Sequence, residues 1–539
     1  MILEKPSFSS IYKISLYLST LISFLVFTHA FAYANEVTGQ LKTWHRVSIT
    51  FDGPFSNERA AINPFTDYRL QVVLTHEASG RKFSVPGFYA ADGDAAESSA
   101  ANGNKWRVHF TPHAAGKWTY TASFRTGNDI AISEQPGAGK PASFDGDAGS
   151  FEIEEAEVVE GDFRSRGMLQ YVDGYHLQYA GSKAYYIKVG PNGPENLLAY
   201  SDFDGTYDTA CNKNDADGSL HQYEPHIADW QPADPVWKEG KGKGLIGALN
   251  YLSSKGLNSL YFLTYNLDGG DGCDVWPWVD DEDKFRFDVS KLAQWEVVFN
   301  HMDKNGIQLH MVLSERQNAK DIGSPGENGG TLNNVRKLYY REMIARFGHH
   351  LALQWNLGEE NTNNNARRKD FAAYIRSLDP YDHPITVHTS DSKAFSFYDD
   401  LLGHSAFEAT SLQADISDYN ELAAYYRKES LATGRKWAVY ADEQSPNAGN
   451  DRADQLRQLG LYGNLMGGGA GVEWYFSADL SLEDFRKYDL LWDEMAYAHD
   501  FFQRHVPFSQ MAPANELTPS SRDYVLAKPG QTYVIYVPE

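Results

Sequence analysis

The sequence predicts a multidomain protein. An immunoglobulin-like β-sandwich covers residues 35–158, a (β/α)8 barrel covers 159–505, and 506–539 open a further β domain. Three observations predict this. Between Trp44 and Glu155, short runs of alternating apolar and polar residues are broken by Gly, Pro, Asn and Asp, without a helical period. After Arg164, short apolar runs alternate with amphipathic segments, as parallel βα units require. Past Pro507 the chain returns to strand-like runs, DYVLAKPG and TYVIYVPE.

The first element, residues 1–34, has Lys5 and Lys13 ahead of the apolar run Ile14 to Phe27, then Ala32-Tyr33-Ala34. A charged start, an apolar middle and small residues at the cleavage point make a secretory signal peptide. It implies a secreted or periplasmic protein. No later run is apolar for long enough to span a bilayer, so no membrane insertion is expected. The sandwich strands are HRVSITF (45–51), YRLQVVLTH (68–76), KWRVHFTP (105–112), GKWTYTASF (116–124) and GSFEIEE (149–155). The barrel strands are expected at 185–190, 259–266, 307–315, 351–359, 385–391, 407–413, 436–443 and 471–477. Helices are expected at 289–306, 334–348 and 367–379, with long loops after the first two strands. A doubly wound sheet would bring a Gly-rich phosphate loop after its first strand, and none is present.

Composition narrows the function. At 42% apolar residues the chain can build a sizeable core. Asp and Glu number 72 against 48 Lys and Arg, and a net charge of −24 repels phosphate backbones, so no nucleic-acid partner is expected. Aromatic residues reach 14%, as in proteins that grip sugars and in large β proteins alike. The two cysteines, Cys211 and Cys273, read as one disulfide in an oxidising compartment, tying together the loops after barrel strands one and two. No zinc spacing appears and no cofactor is expected. Residues 213–224 place Asp215, Asp217, Gly218 and Glu224 at later positions of a calcium loop, but Lys213 stands where the first carboxylate belongs. A structural calcium ion stays open as an alternative to a plain turn cluster.

In a (β/α)8 barrel, reactive groups stand at the C-terminal ends of the strands. Those ends offer Asn266, Glu315 and Arg316, Glu359, Glu360 and Asn361, His388, Gln413, Glu443 and Gln444, and Glu473 with Trp474. Glycoside hydrolysis needs two carboxyl groups flanking one bond. A lone Glu at a strand end is more often solvated or salt-bridged, whereas two, on strands four and seven, point to catalysis. Trp276, Trp278 and Trp474 are candidate sugar platforms, Trp474 equally a core residue. Arg316, Lys320, Arg367 and Arg368 near the mouth could receive sulfate or carboxylate groups.

The run QWNLGEEN (354–361) and the apolar seventh strand ending in Glu443 resemble the clan A glycoside hydrolases. In these, the strand-four catalytic Glu usually follows an Asn. Here Glu359 occupies the Asn position, which leaves the acid/base between Glu359 and Glu360, with register favouring Glu360; the resemblance implies that Glu443 is the nucleophile. The longer runs KVGPNGPENLLAYSDFDGTYD, FDVSKLAQWEVVFNHM, RFGHHLALQWNLGEENT, LDPYDHPITVHT and YADEQSP are similar to secreted bacterial proteins with an uncharacterised N-terminal β-sandwich. Those carry an apiosidase-like or clan A barrel and often a C-terminal domain named for collagen binding. The resemblance implies polysaccharide degradation but fixes no substrate; the expected activity is cleavage of a plant or algal polysaccharide or oligosaccharide by a two-carboxylate, retaining mechanism. The competing reading is a non-catalytic carbohydrate-binding or adhesion protein on a barrel scaffold, which would not need Glu360 and Glu443 facing each other. A polysaccharide lyase would need a Tyr or His base beside a cation that neutralises a uronate, and no such cluster stands out.

Overall fold

The computed structural model describes Met1 and residues 35–210, 220–267, 270–316, 322, 330–390 and 393–538. The export signal read in residues 1–34, Cys211, Lys320 and the calcium-loop residues Asp215, Asp217 and Gly218 thus lie outside the described residues, Met1 apart. Residues Glu36–Glu539 form one compact unit. No helix among the described residues is long and apolar enough to cross a membrane.

The N-terminal part consists of two antiparallel sheets. One joins Glu36–Gly39, Val47–Asn57, Asn102–Phe110 and Phe88–Tyr89; the other joins Lys82–Pro86, Tyr68–His76 and Gly116–Thr126, with Lys140–Pro141 and Ala148–Ile153 both paired to the last. Alternation places side chains as the sequence predicts: Leu70, Val72 and Leu74 are buried while Val73 between them is 38% exposed. The sheets meet through aromatic rings, Trp106 against Phe124 at 4.8 Å and Phe110 against Trp118 at 4.9 Å. This pair of sheets is pinned to the helices that follow. Thr111 donates to the His349 carbonyl at 2.7 Å, Arg341 to that of Leu70 at 2.8 Å and Arg346 to that of Tyr89 at 2.9 Å.

Eight parallel strands follow, Lys188–Asn192, Ser259–Leu263, Gln308–Val312, Leu353–Asn356, Ile385–Thr386, Leu412–Asp415, Tyr440–Ser445 and Gly471–Tyr475. Their hydrogen-bonded path runs from the fifth back to the first, then to the eighth, seventh and sixth. A parallel bridge between His388 and Ser411 joins the two ends of that path, consistent with the (β/α)8 barrel. The sixth strand starts at Leu412, later than the expected 407–413. Ahead of it the Glu408 carboxylate accepts from Arg376, Arg435 and the Ile385 N–H, and Ala409 and Ala438 pair only as an isolated bridge.

The helices start where short polar side chains can cap them. Asp288, Asn333 and Asn364 accept from the backbone N–H three residues on, opening Val289–Asn305, Asn334–Phe347 and Asn365–Leu378. The first helix stops at Gly306, whose φ of 72° suits glycine. The chain ends in a three-stranded antiparallel sheet, Ala512–Pro513, Tyr524–Lys528 and Thr532–Tyr536. It packs on the barrel helices through Tyr536 stacked 4.4 Å from Tyr462, and Arg427 donates to the Met511 carbonyl.

Candidate active site

The barrel interior is charged under its mouth. Lys188 of strand one lies 2.5 Å from Asp442 of strand seven and 3.0 Å from Glu473 of strand eight, and all three are fully buried. His310 of strand three joins through Nδ1, 2.7 Å from Glu473, while its Nε2 meets Asn356 at 3.0 Å. Burial holds His310 well below the ordinary histidine range, so it sits neutral in this network.

Above that floor stand the carboxyl groups. Glu443 accepts from Gln413 Nε2 at 2.6 Å, and its backbone carbonyl accepts from the Tyr419 hydroxyl at 2.5 Å. His388 Nε2 lies 3.1 Å from Glu443 Oε2 and 3.1 Å from Glu359 Oε1. Burial pushes His388 down to about 4. Its Nδ1 meets Ser411 Oγ at 3.0 Å and its N–H donates to Asn356 Oδ1, which fixes the ring. Glu359 is buried beside Glu443, with carboxyl oxygens of the two within 4.8 Å of each other; burial, then the Glu443 charge, then that of Glu360 raise it well above the usual carboxylate range.

Glu360 points elsewhere. Its backbone is left-handed, φ 33°, an uncommon state for a residue with a side chain. Its carboxylate meets Arg316 at 3.0 Å with 26% of the side chain exposed, against 5% for Glu359 and 8% for Glu443. Three further acids close the group. Burial drives Glu315 up to about 8, with Asp271, Glu360 and Glu443 adding to it. Burial, then Glu359, Asp271, Glu315 and Glu443, raises Glu195 well above its ordinary value. Asp271 is raised by burial and accepts from the Tyr475 hydroxyl.

Glu315, Arg316, Glu359, Glu360, His388, Gln413 and Glu443 are therefore brought together. Of the other expected site residues, all but Asn266 are spent on the protein itself. Gln444 spends its amide on the Tyr475 backbone, donating to its carbonyl and accepting from its N–H. Asn361 accepts from Asn363 N and Arg368 and donates to the Gly358 carbonyl, so it shapes the loop. Arg368 is bound to that loop at Asn361 and Asn365. The three tryptophans are no open platforms: Trp276 and Trp278 are fully buried and Trp474 is 1% exposed. Trp474 packs so closely under Gly460 that a Cβ there would lie 2.5 Å from the indole. Asn266 is buried with both amide atoms unpartnered, the state of a group kept for a ligand or water.

Sequence reasoning missed Glu195, Asp271 and Tyr475. Tyr475 was legible, since a period of two puts it on the inward face with Glu473. Glu195 and Asp271 lie in loops whose path no periodicity gives. Among the described residues, three trios have ligand-type atoms within 4.8 Å of one another: Glu296, His349 and His350; His310, Asp442 and Glu473; and Glu359, His388 and Glu443. The first two are held by ion pairs among their own members or with Lys188.

Residues 40–125 match a family described as a domain of unknown function, DUF5060. No curated protein matches the chain. Among solved structures, a candidate glycoside hydrolase from Bacteroides vulgatus is 18% identical with a TM-score of 0.53, covering 80% of this chain and 71% of its own. A family 5 glycoside hydrolase from Bacteroides vulgatus is 13% identical with a TM-score of 0.44, covering 69% of this chain and 80% of its own. At 18% identity the first likeness is one of fold.

Proposed function

We propose that this protein is an exported glycoside hydrolase that cleaves plant or algal polysaccharide or oligosaccharide with retention of configuration. One observation carries the reading: Glu443, at the C-terminal end of the seventh strand, is buried and held by Gln413, and the end of the fourth strand brings Glu359 to the same His388 and Glu360 to Arg316 at the mouth. Glu443 attacks the anomeric carbon while Glu360 gives its proton to the departing oxygen, forming a glycosyl-enzyme. Water then attacks, deprotonated by Glu360, and releases Glu443. Glu359 is too close for the acid's task. Glu359 and Glu443 each lie 3.1 Å from the same His388 nitrogen, whereas a retaining pair stands ~5–5.5 Å apart to hold the bond between them. Glu360 stands at the open mouth. The acids Glu195, Asp271, Glu315, Glu359, Glu360 and Glu443, set against Arg316, favour neutral glycans over uronic or sulfated ones. The N-terminal sheets, read as an immunoglobulin-like module, supply no catalytic acid.

The test is a screen of the mature protein on purified neutral and anionic plant and algal polysaccharides. Turnover of neutral polymers, abolished in Glu443→Ala and restored by azide as a glycosyl azide of inverted configuration, supports the reading. Glu360→Ala then loses most on poor leaving groups, which alone need the proton. Unchanged turnover in Glu443→Ala refutes the assignment.

A further inference from the structure

Along one buried chain of contacts, from the barrel floor to Glu443, the hydrogens can be placed one after another. Asn356, fully buried at the end of strand four, is the starting point. Its Oδ1 accepts from the backbone N–H groups of Gly358 at 3.2 Å and His388 at 3.1 Å. Backbone nitrogens only donate, so the other end of the amide is its NH2. That NH2 stands 3.0 Å from His310 Nε2 and 3.3 Å from Ser411 Oγ, and donates to both.

His310 thus accepts at Nε2 and carries its hydrogen on Nδ1, where Glu473 takes it at 2.7 Å. Lys188 stands farther from that nitrogen, at 3.5 Å. On the other branch Ser411 is fully buried, and among the described residues its hydroxyl oxygen meets only Asn356 and His388. Having accepted from the amide, it has one place for its own hydrogen, His388 Nδ1 at 3.0 Å. An imidazole that accepts at Nδ1 carries its hydrogen on Nε2. That nitrogen faces Glu359 Oε1 and Glu443 Oε2, 3.1 Å from each. Neither contact has the alignment of a full hydrogen bond, and catalytic contacts of this kind commonly tighten only as substrate binds. The opposite tautomer would set a lone pair against both carboxyl oxygens.

Resting on the reading of Glu443 as nucleophile, we propose that Asn356 and Ser411 are positioning residues that fix His388 as its Nε2–H tautomer, so that Glu443 meets a donor at each oxygen, His388 at one and Gln413 at the other. Neither Asn356 nor Ser411 touches the sugar. No proton moves along the chain; each group is held in one orientation by the one before it.

Asn356→Asp keeps the oxygen that accepts from Gly358 and His388 and puts a second acceptor where the donor was. The chain then reverses: Ser411 gives its hydrogen to the new carboxylate, His388 gives Nδ1–H to Ser411, and a bare Nε2 faces Glu443. On nitrophenyl glycosides kcat is expected to fall about a hundredfold, the upper worth of a hydrogen bond to a charged group. Ser411→Ala cuts the chain without reversing it and is expected to cost about three- to tenfold in kcat, with KM changing less. In the double variant the carboxylate has no hydroxyl to act through, so the combined loss is smaller than the product of the two. Neutron diffraction from crystals of the mature protein reads the tautomer without substrate: deuterium on His388 Nε2 in the wild type, and on Nδ1 in Asn356→Asp. Azide rescue of Glu443→Ala is run alongside, so that its failure counts against the nucleophile and not against the tautomer. Should Asn356→Asp not fold, the wild-type neutron map and Ser411→Ala decide. The proposal is overturned by deuterium on Nδ1 in the wild type, or by a cation between Nε2 and the two carboxyl groups. It is equally overturned if Ser411→Ala changes KM alone, or if the two losses multiply in the double variant.

Discussion

Replacing Lys188 with Met tests the charged floor of the barrel. Methionine nearly conserves the volume of the lysine stem, so packing changes little. The charge is what disappears. Lys188 lies 2.5 Å from Asp442 and 3.0 Å from Glu473, with none of the three exposed. At an effective dielectric constant of ~20, unit charges at such distances attract by about 5–7 kcal/mol, much of it offset by the cost of burying them. Removing one partner of a buried pair costs about 3–5 kcal/mol, because the other is left uncompensated. With two carboxylates stranded, the loss belongs at the upper end of that range. The assay is denaturant unfolding followed by tryptophan fluorescence, on Lys188→Met and on the triple variant with Asp442→Asn and Glu473→Gln. The triple variant, with no charge left to compensate, is expected to recover most of the loss. A loss below ~1 kcal/mol in the single variant, or no recovery in the triple, refutes the ion cluster.

Three further outcomes are expected. Burial alone would lower His350, but Asp303 and Glu296 outweigh it and lift the imidazole to about 9. A raised histidine contributes stability that is complete below its unfolded value of ~6.5 and lost as pH rises through its folded one, a swing of roughly 3 kcal/mol. His350→Gln removes that dependence, and an unfolding midpoint equally pH-sensitive in both proteins contradicts the assignment. Gln413→Leu deletes the 2.6 Å donor to Glu443 and is expected to cut kcat about ten- to hundredfold with KM little changed, as for a bond to a charged group; a pure KM effect would show that Gln413 serves binding instead. Non-reducing peptide mapping is expected to join Cys211 to Cys273, closing a loop of about 60 residues worth roughly 4 kcal/mol in the chain-entropy model; free thiols in the oxidised protein would end that proposal.

The elements of the barrel were legible because their signals are local. A strand needs a short apolar run, and a helix needs a cap and an apolar period; Asp288, Asn333 and Asn364 supply the caps within three residues of where the helices begin. The carboxyl groups of strands four and seven followed from the same reasoning, since a barrel presents its strand ends on one face. What the sequence by itself could not decide is which way each of those groups points. Gly358, at φ 147°, and Glu360, at φ 33°, turn the chain so that neighbouring glutamates part, one toward His388 and Glu443, the other toward Arg316. Nor could it pair Lys188 with Asp442 and Glu473, residues from three strands that come together only as the barrel closes. Protonation follows from that assembly. Burial and neighbouring charge set it for Glu359, and both are properties of the folded chain: Glu359 and Glu360 share one residue type and adjacent positions, yet only the fold buries the first beside Glu443 and turns the second toward Arg316 at the mouth.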